Sequence, residues 1–424
     1  MTSDSTVVPL RQPEETEDPL TAILRSGARR LLAQAVEAEA EAFLAAMKDV
    51  RLADGRERVV RHGHGPERLV QTGIGAVAVR RVKIRDRGAD AGGGGARIRF
   101  TSALLPRWAR RTRSLDALLP ILYLRGVSMG DFQEALAALL GRDAPSLSPS
   151  VIARLRDEWQ ADYARWQRRD LSARHYVYVW ADGIYLQARM EPQAECMLVL
   201  IGATPEGKKE LLGFQVGVRE SAQSWRELLV DLKARGLATA PELATGDGAL
   251  GFWKALEEIF PATRHQRCWV HKVSNVLNKL PKSVQPAAKA GLREVWQAPD
   301  RATAEAAIAT FAAKYAAKYE NAVTCLVKDR DALLAFYHFP AEHWDHLRTA
   351  NPIESVFATI RHRTVRTKGA LSQDTARLMV FKLAMAAAKT WRRLKGETQL
   401  PKVVQGVRFR NGVEVTDTPA QSAA

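Results

Sequence analysis

The 424-residue sequence has no run approaching the roughly 20 apolar residues that a membrane-spanning helix requires, which excludes an integral helical membrane protein. Its opening, "MTSDSTVVPLRQPEETEDPL", is polar and acidic and lacks the basic-then-apolar order of a secretory leader. Cysteine is scarce. Cys196, Cys268 and Cys325 are odd in number and far apart, which argues against a disulfide framework and for a reducing compartment. Cys196 and Cys325 read as small buried hydrophobes. No lysine-serine or lysine-threonine pair follows the glycine run at 92–95, so that run reads as a connection and not as a phosphate cradle. Acid is also in short supply: 47 Asp+Glu stand against 63 Lys+Arg, a formal charge of +16. An excess of that size fits a polyanionic partner, and nucleic acid is the first candidate because each phosphate contact releases condensed counterions. These features predict a soluble, cytoplasmic protein, associated with the nucleoid when bound to DNA.

What is present is a large core. At 46% hydrophobic, the chain has enough apolar material and length for two or three units. Residues 1–19 read as a tail. From Leu20 to Met47, apolar residues recur at helical spacing (Leu20, Ile23, Leu24, Leu31, Ala35, Phe43), which predicts an amphipathic helix used for packing or self-association. Residues 67–85 alternate like a hairpin turning at Gly73 or Gly75, with Arg80, Arg81, Lys83 and Arg85 on one arm. A helical block follows from Ser114 to Asp170. Within it, "MGDFQEALAALLG" has capping-box spacing, and Ser148-Pro149 opens "SPSVIARLRDEWQADYARWQRRD" as an N-cap with proline at the first helical position. Two capped helices joined by a short loop resemble a helix-turn-helix that presents Arg154 and Arg156 to DNA; a plain helical linker is the alternative.

The pattern changes at "HYVYVWADGIY". Strand-forming residues run into the carboxylate of Asp182, and Gly183 lets the backbone bend after it, so the strand is expected to end there and a second to continue through "IYLQARM". "CMLVLIGA" and "KELLGFQVGV" read as strands, and Ser221 caps the helix "SAQSWRELLVDLKARG". The short strand "PELATGDG" delivers a second acid, Asp247, again before glycine. Beyond "TRHQRCWV", almost unbroken helix runs from His271 to about Leu334, with Phe311, Tyr315 and Tyr319 as a core stripe.

Two carboxylates at the ends of neighbouring strands repel each other unless cations sit between them. Hard oxygen ligands suit Mg²⁺ or Mn²⁺, two ions per site, in the arrangement that serves phosphoryl transfer, where a third acid is expected. The candidate is Glu354 in "HLRTANPIESVFATIRHRTVRTKGALS": Asn351-Pro352 favours a helix start, and the first turn of a helix tolerates negative charge. Arg361, Arg363, Arg366 and Lys368 extend a basic edge suited to a DNA backbone.

Six pieces, in this order, carry a family resemblance: "WADGIYLQAR", "GATPEGKKELLGFQVG", "RESAQSW", "ATGDGALGFW", "FPATRHQRCWVHKVSNVLNKLPKS" and "HLRTANPIESVFATIRHRTVRTKG". The sequence resembles the bacterial insertion-sequence transposases of the Mutator type over most of residues 20–410. The resemblance implies an α/β fold: an RNase H-like mixed sheet flanked by helices, with an all-helical insertion at about 271–345 and a mainly helical N-terminal DNA-binding region. It divides the chain into a tail (1–19), a helix and hairpin (20–104), a helix-turn-helix-like region (105–172), the catalytic domain (173–395) and a C-terminal tail (396–424). It implies that Asp182, Asp247 and Glu354 are catalytic and hold the metal ions. The expected partners are terminal inverted repeats and target DNA, the expected state a homodimer or higher oligomer, and the expected route copy-out through a circular intermediate. Cys268 and His271 match a family motif next to the site. Spacing alone leaves Cys268, His271 and His265 open as half a zinc site, and Trp269 as a base-stacking residue. A metal-dependent nuclease without strand transfer, and a catalytically silent DNA-binding regulator, remain the alternatives.

Overall fold

The computed structural model describes residues 19–89, 97–106, 109–112, isolated positions between 114 and 122, 149–186, 194–217, 219–248, 250–366 and 372–415. The chain divides into two compact units, Met1–Leu155 and Arg156–Ala424.

In the first unit, helix α1 (Pro19–Ala46) lies on an antiparallel hairpin of β1 (Val59–Thr72) and β2 (Gly75–Asp86). Val36 and Ala40 of the helix meet Val70, Val77, Val79 and Val82 of the hairpin in one core. The burial phase slips between Val79 and Val82 because the facing strand is irregular between Arg61 and Glu67. The turn falls at residues 73–74 as expected, and Gly75 takes a φ of 98°, open to glycine at little cost. Asp86 closes the hairpin: it accepts from Arg58 Nε at 2.9 Å and Nη2 at 3.1 Å and from the backbone N–H groups of Gly88 and Ile98. Arg58, followed by those N–H groups, pulls its carboxyl down to about 2. Residues 20–104 were expected to hold a helix and a small hairpin, within an N-terminal region expected to be mainly helical up to residue 172. The described residues pair a 28-residue helix with strands of 14 and 12 residues, a longer hairpin than expected because the first strand begins eight residues before the clearest alternation. Leu20, Ile23, Leu24 and Leu31 of α1 are exposed. The glycine run at 92–95 and the first helices of the expected helix-turn-helix lie outside the described residues; its last helix is present as α2 (Pro149–Gln167).

The second unit is built on a five-stranded mixed sheet of spatial order β5-β4-β3-β6-β7. Strands β3 (Tyr178–Leu186), β4 (Glu195–Ala203) and β5 (Lys209–Gly217) form an antiparallel meander; β6 (Leu243–Gly246) and β7 (Arg264–Arg267) then add in parallel beside β3. One face of this sheet, with Val179, Ala181, Leu198 and Leu200, packs against α3 (Ala222–Ala234) and α4 (Leu250–Ile259) through Trp225, Leu228, Phe252 and Leu256. Strand β3 does not end at Asp182 as expected: pairing to β4 continues to Leu186↔Glu195 and holds the chain extended through Gly183. What ends there is the other partner, since Ala181↔Gly246 is the last β3–β6 pair.

Between β7 and the helix that carries Glu354 lies helical chain, broken more often than expected. It comprises α5 (Trp269–Leu277), α6 (Gln285–Trp296), α7 (Arg301–Val327) and short turns up to Leu347. Pro281 lies between the first two, Pro286 stands in the first turn of the second, and Asp300 caps the third by accepting from the Thr303 N–H. Phe311 and Tyr315 are core residues as the stripe predicts, while Tyr319 takes non-helical angles at a kink in α7. Helices α8 (Asn351–Arg366) and α9 (Gln373–Ala388) follow, with α8 packed against β3 and β4. Residues after 396 were expected as a tail, but Leu400, Val403 and Phe409 are buried in α10 (Leu400–Val404) and a short strand pair, β8 (Phe409–Arg410) with β9 (Val413–Glu414). Among the described residues, no helix is long and apolar enough to cross a membrane.

Candidate active site

Alternation along β3 puts Tyr178, Trp180 and Asp182 on one face of the sheet, opposite Val179 and Ala181. That face grips the segment leading into α8. The Tyr178 hydroxyl is 2.8 Å from His343 Nδ1, Trp180 Nε1 donates to the His346 carbonyl at 2.9 Å, and Thr245 Oγ1 donates to the Leu347 carbonyl at 2.9 Å. Two further bonds come from the start of α5: the Trp269 N–H donates to the Arg348 carbonyl at 2.9 Å, and Cys268 Sγ accepts from the Ala350 N–H at 3.2 Å. Five contacts thus fix where α8 begins, and Glu354 stands in its first turn.

The acids sense one another. Burial, with the charges of Asp247 and Glu354 adding to it, pushes the Asp182 carboxyl up to about 6 against the opposing effects of His271 and the Gly183 N–H. His271 is pushed up to about 9, first by the Cys268 side chain beside it and then by the charges of Asp247 and Asp182. Ligand atoms of Cys268, His271 and Glu354 all lie within 4.8 Å of one another. Glu354 Oε1 and His271 Nδ1 are buried without a hydrogen-bond partner. A buried carboxylate oxygen with no donor is costly, and three acids with one imidazolium among them leave net negative charge. Both observations fit a divalent cation, although among the described residues the close cluster of ligand atoms joins Glu354 to Cys268 and His271 and does not include Asp182 or Asp247. They fit zinc less well: the Cys268 thiol already accepts the Ala350 N–H, and His265 stands 3.8 Å from Glu257 and against the Trp253 ring, outside the cluster.

A fourth acid escaped the sequence reading. Glu220, just before the Ser221 N-cap of α3, is pushed up to about 7, first by burial and then by the charges of Asp182 and Asp247, with His271 opposing. The quoted "RESAQSW" contains it, but an acid beside an N-cap reads as an ordinary helix-start residue.

One expected contact is corrected. Trp269 is fully buried, donates its indole N–H to the Leu333 carbonyl at 3.0 Å and sets its edge against Trp296, so no base can reach its ring. Its place at the first position of an amphipathic helix, facing the inner stripe, accounts for this. Arg361 is exposed on α8 with its guanidinium 6.0 Å from the Phe357 ring centroid. Arg363 and Arg366 belong to the same helix, and Lys368 lies outside the described residues. Arg154 and Arg156 are exposed on α2.

The sequence profile described as "Transposase, Mutator family" matches residues 3–393. The transposase for insertion sequence element IS6120 of Mycolicibacterium smegmatis is 49% identical over 298 residues, covering 70% of this chain and 92% of that protein. The transposase for insertion sequence element IST2 of Acidithiobacillus ferrooxidans is 50% identical over 281 residues, 66% of this chain and 95% of that protein. The transposase for insertion sequence element ISRM5 of Rhizobium meliloti (strain 1021) is 28% identical over 371 residues, 87% of this chain and 88% of that protein. With a profile spanning nearly all of its length and relatives at half identity, the chain belongs to the Mutator family of transposases.

Proposed function

We propose that this chain is an insertion-sequence transposase that cuts DNA at the terminal inverted repeats of its element and joins the freed 3′-hydroxyl to target DNA by a copy-out route. The observation that carries the reading is the register of two parallel strands: Ala181 pairs with Gly246, so Asp182, still within β3, and Asp247, just past the end of β6, come next in register side by side. Three antiparallel strands followed by two parallel ones support an RNase H-like core. Asp182, Asp247 and Glu354 would hold two Mg²⁺ or Mn²⁺ ions, which when bound would stabilise the attacking and leaving oxygens of an in-line displacement. The protein's own part is to orient: β3 and β6 fix the two aspartates, and the contacts of Cys268 and Trp269 fix the helix of Glu354. The same acids serve cleavage by water and attack by the 3′-hydroxyl, so no covalent intermediate on the protein is required. Two element ends are handled together, which calls for at least a dimer.

The test is in vitro cleavage and joining on a labelled duplex bearing the element's terminal repeat, wild type against Asp182→Asn, with and without Mn²⁺. Joined product that needs both Asp182 and the metal supports the reading. Cleavage without joining makes the protein a nuclease. Activity that survives Asp182→Asn overturns the assignment of the acids.

A further inference from the structure

A cleft of about 500 Å³ opens directly off Asp247 and runs along α5 to the end of α7. Its first wall is Arg267, which donates to the Asp247 carbonyl at 2.9 Å and stacks on Trp253, so its guanidinium is held at the mouth. Its floor is Lys272, which is neutralised by Asp329 and bonded to the Cys325 carbonyl. The outer wall differs. Asn275 on α5, Asn278 at its C-cap and Lys279 just past it are exposed, and Lys328 is exposed just beyond the C-terminus of α7. Asn275 and Asn278 are three residues apart and so share a helix face, with Lys279 at its edge. Neither the Lys279 nor the Lys328 ammonium has a partner among the described residues. With Asp329 taken up by Lys272, the cleft beyond Asp247 therefore carries unneutralised positive charge and amide donors, while its inner end opens at an acid of the candidate site.

We propose that this cleft is a binding site for the phosphodiester backbone of the DNA strand running into the acids, with Lys279 and Lys328 on phosphates and Asn275 and Asn278 donating to phosphate or sugar oxygens. The proposal rests on the transposase reading and deepens it. Acidic and basic features are divided along one groove: repulsive carboxylates stand where divalent ions would be held at the reacting phosphate, and cations stand where unreacting phosphates need neutralising. The cleft has too few unpaired acids to attract a cationic ligand. Its exposed wall is polar, unlike the mostly apolar lining of a small-molecule pocket.

The test uses the full chain and two labelled duplexes, one bearing the element's terminal repeat and one unrelated target sequence. Lys279→Ala/Lys328→Ala is compared with Lys233→Ala/Lys389→Ala, a control pair of exposed lysines outside the cleft. The cleft pair is expected to weaken DNA binding about tenfold and to flatten the log Kd against log salt slope by nearly 2, since each lost phosphate contact removes about 0.9 from it. Mn²⁺ binding measured by calorimetry stays as in the wild type. Loss on both duplexes assigns the cleft to backbone common to end and target; loss on one alone assigns it to that strand. Wild-type affinity and slope on both duplexes, or an equal effect from the control pair, overturns the proposal. The outcome is separable from the reading beneath it: Asp182→Asn removes chemistry and Mn²⁺ binding if the acids are the site, and leaves the lysine effect on affinity in place.

Discussion

The carboxyl carbon of Glu220 stands 3.2 Å from the point where a side chain on Gly183 would begin. The glycine that follows Asp182 is therefore a gap through which a fourth carboxylate reaches the site, and Cys196 Sγ, 2.9 Å from the same point, forms its other wall.

A methyl group at that position closes the gap. Gly183→Ala displaces Glu220 and Cys196 and is expected to lower joining about 10- to 100-fold, the scale on which supporting groups around a metal site act. Far-ultraviolet circular dichroism should remain that of the wild type. Glu220→Gln separates charge from shape: titration calorimetry should show weaker Mn²⁺ binding with unchanged fold, and an unaltered isotherm would remove Glu220 from the site.

The metal-free protein carries a destabilising carboxylate in Asp182. Its folded value, about 6, is above the ordinary 3.8, so between those pH values the folded chain holds a proton that the unfolded chain has released. Stability contributed by this group is therefore full below about pH 4 and is lost as the pH rises through about 6. Asp182→Asn should stabilise the metal-free protein at pH 7.5 by on the order of 1–2 kcal/mol, allowing for partial exposure. The gain should vanish near pH 4 in parallel melting curves; a constant offset at both pH values would contradict the assignment.

Cys268 acts through α8. Cys268→Ala leaves the Ala350 N–H without its acceptor, a loss of about 1–3 kcal/mol for a buried donor, and loosens the start of the helix that carries Glu354. Joining should fall more than DNA affinity does, which gel-shift and joining assays on the same preparation will separate.

Trp269→Ala is expected to unfold the second unit more easily, by about 3–5 kcal/mol for the deleted ring, with no specific effect on DNA contact. Urea melts check the first half. If the variant keeps wild-type stability and loses only DNA binding, its burial has been misread.

Lys272 and Asp329 form a buried pair under the cleft. Lys272→Met strands the aspartate and should cost about 3–5 kcal/mol, whereas Lys272→Met with Asp329→Leu should recover most of that. Chemical denaturation of the two variants decides between a framework pair and a functional one.

Much of this was legible in the sequence. Period-two runs located β3, β4 and β5, and Asn351-Pro352 located the helix start beneath Glu354. The strand end at Asp182 was misplaced because Asp-Gly looks the same whether a strand stops or merely loses one of its two neighbours; here only β6 stops. Glu220 was hidden for a related reason, since its approach depends on the side chain Gly183 lacks, which is a relation across space. The burial of Trp269 depends on Leu333 and Trp296, more than twenty positions away, and no local pattern reports such partners.

The helices from Trp269 to Leu347 also set an order of events at the ribosome. A nascent chain exposes the whole sheet, with Asp182 and Asp247, before any of α8 has been made. At roughly 5–20 residues per second, translating the intervening stretch takes on the order of five to twenty seconds. Through that interval the growing polypeptide carries Asp182 and Asp247 without Glu354. On the proposed reading, the third acid joins the other two only once α8 has been made.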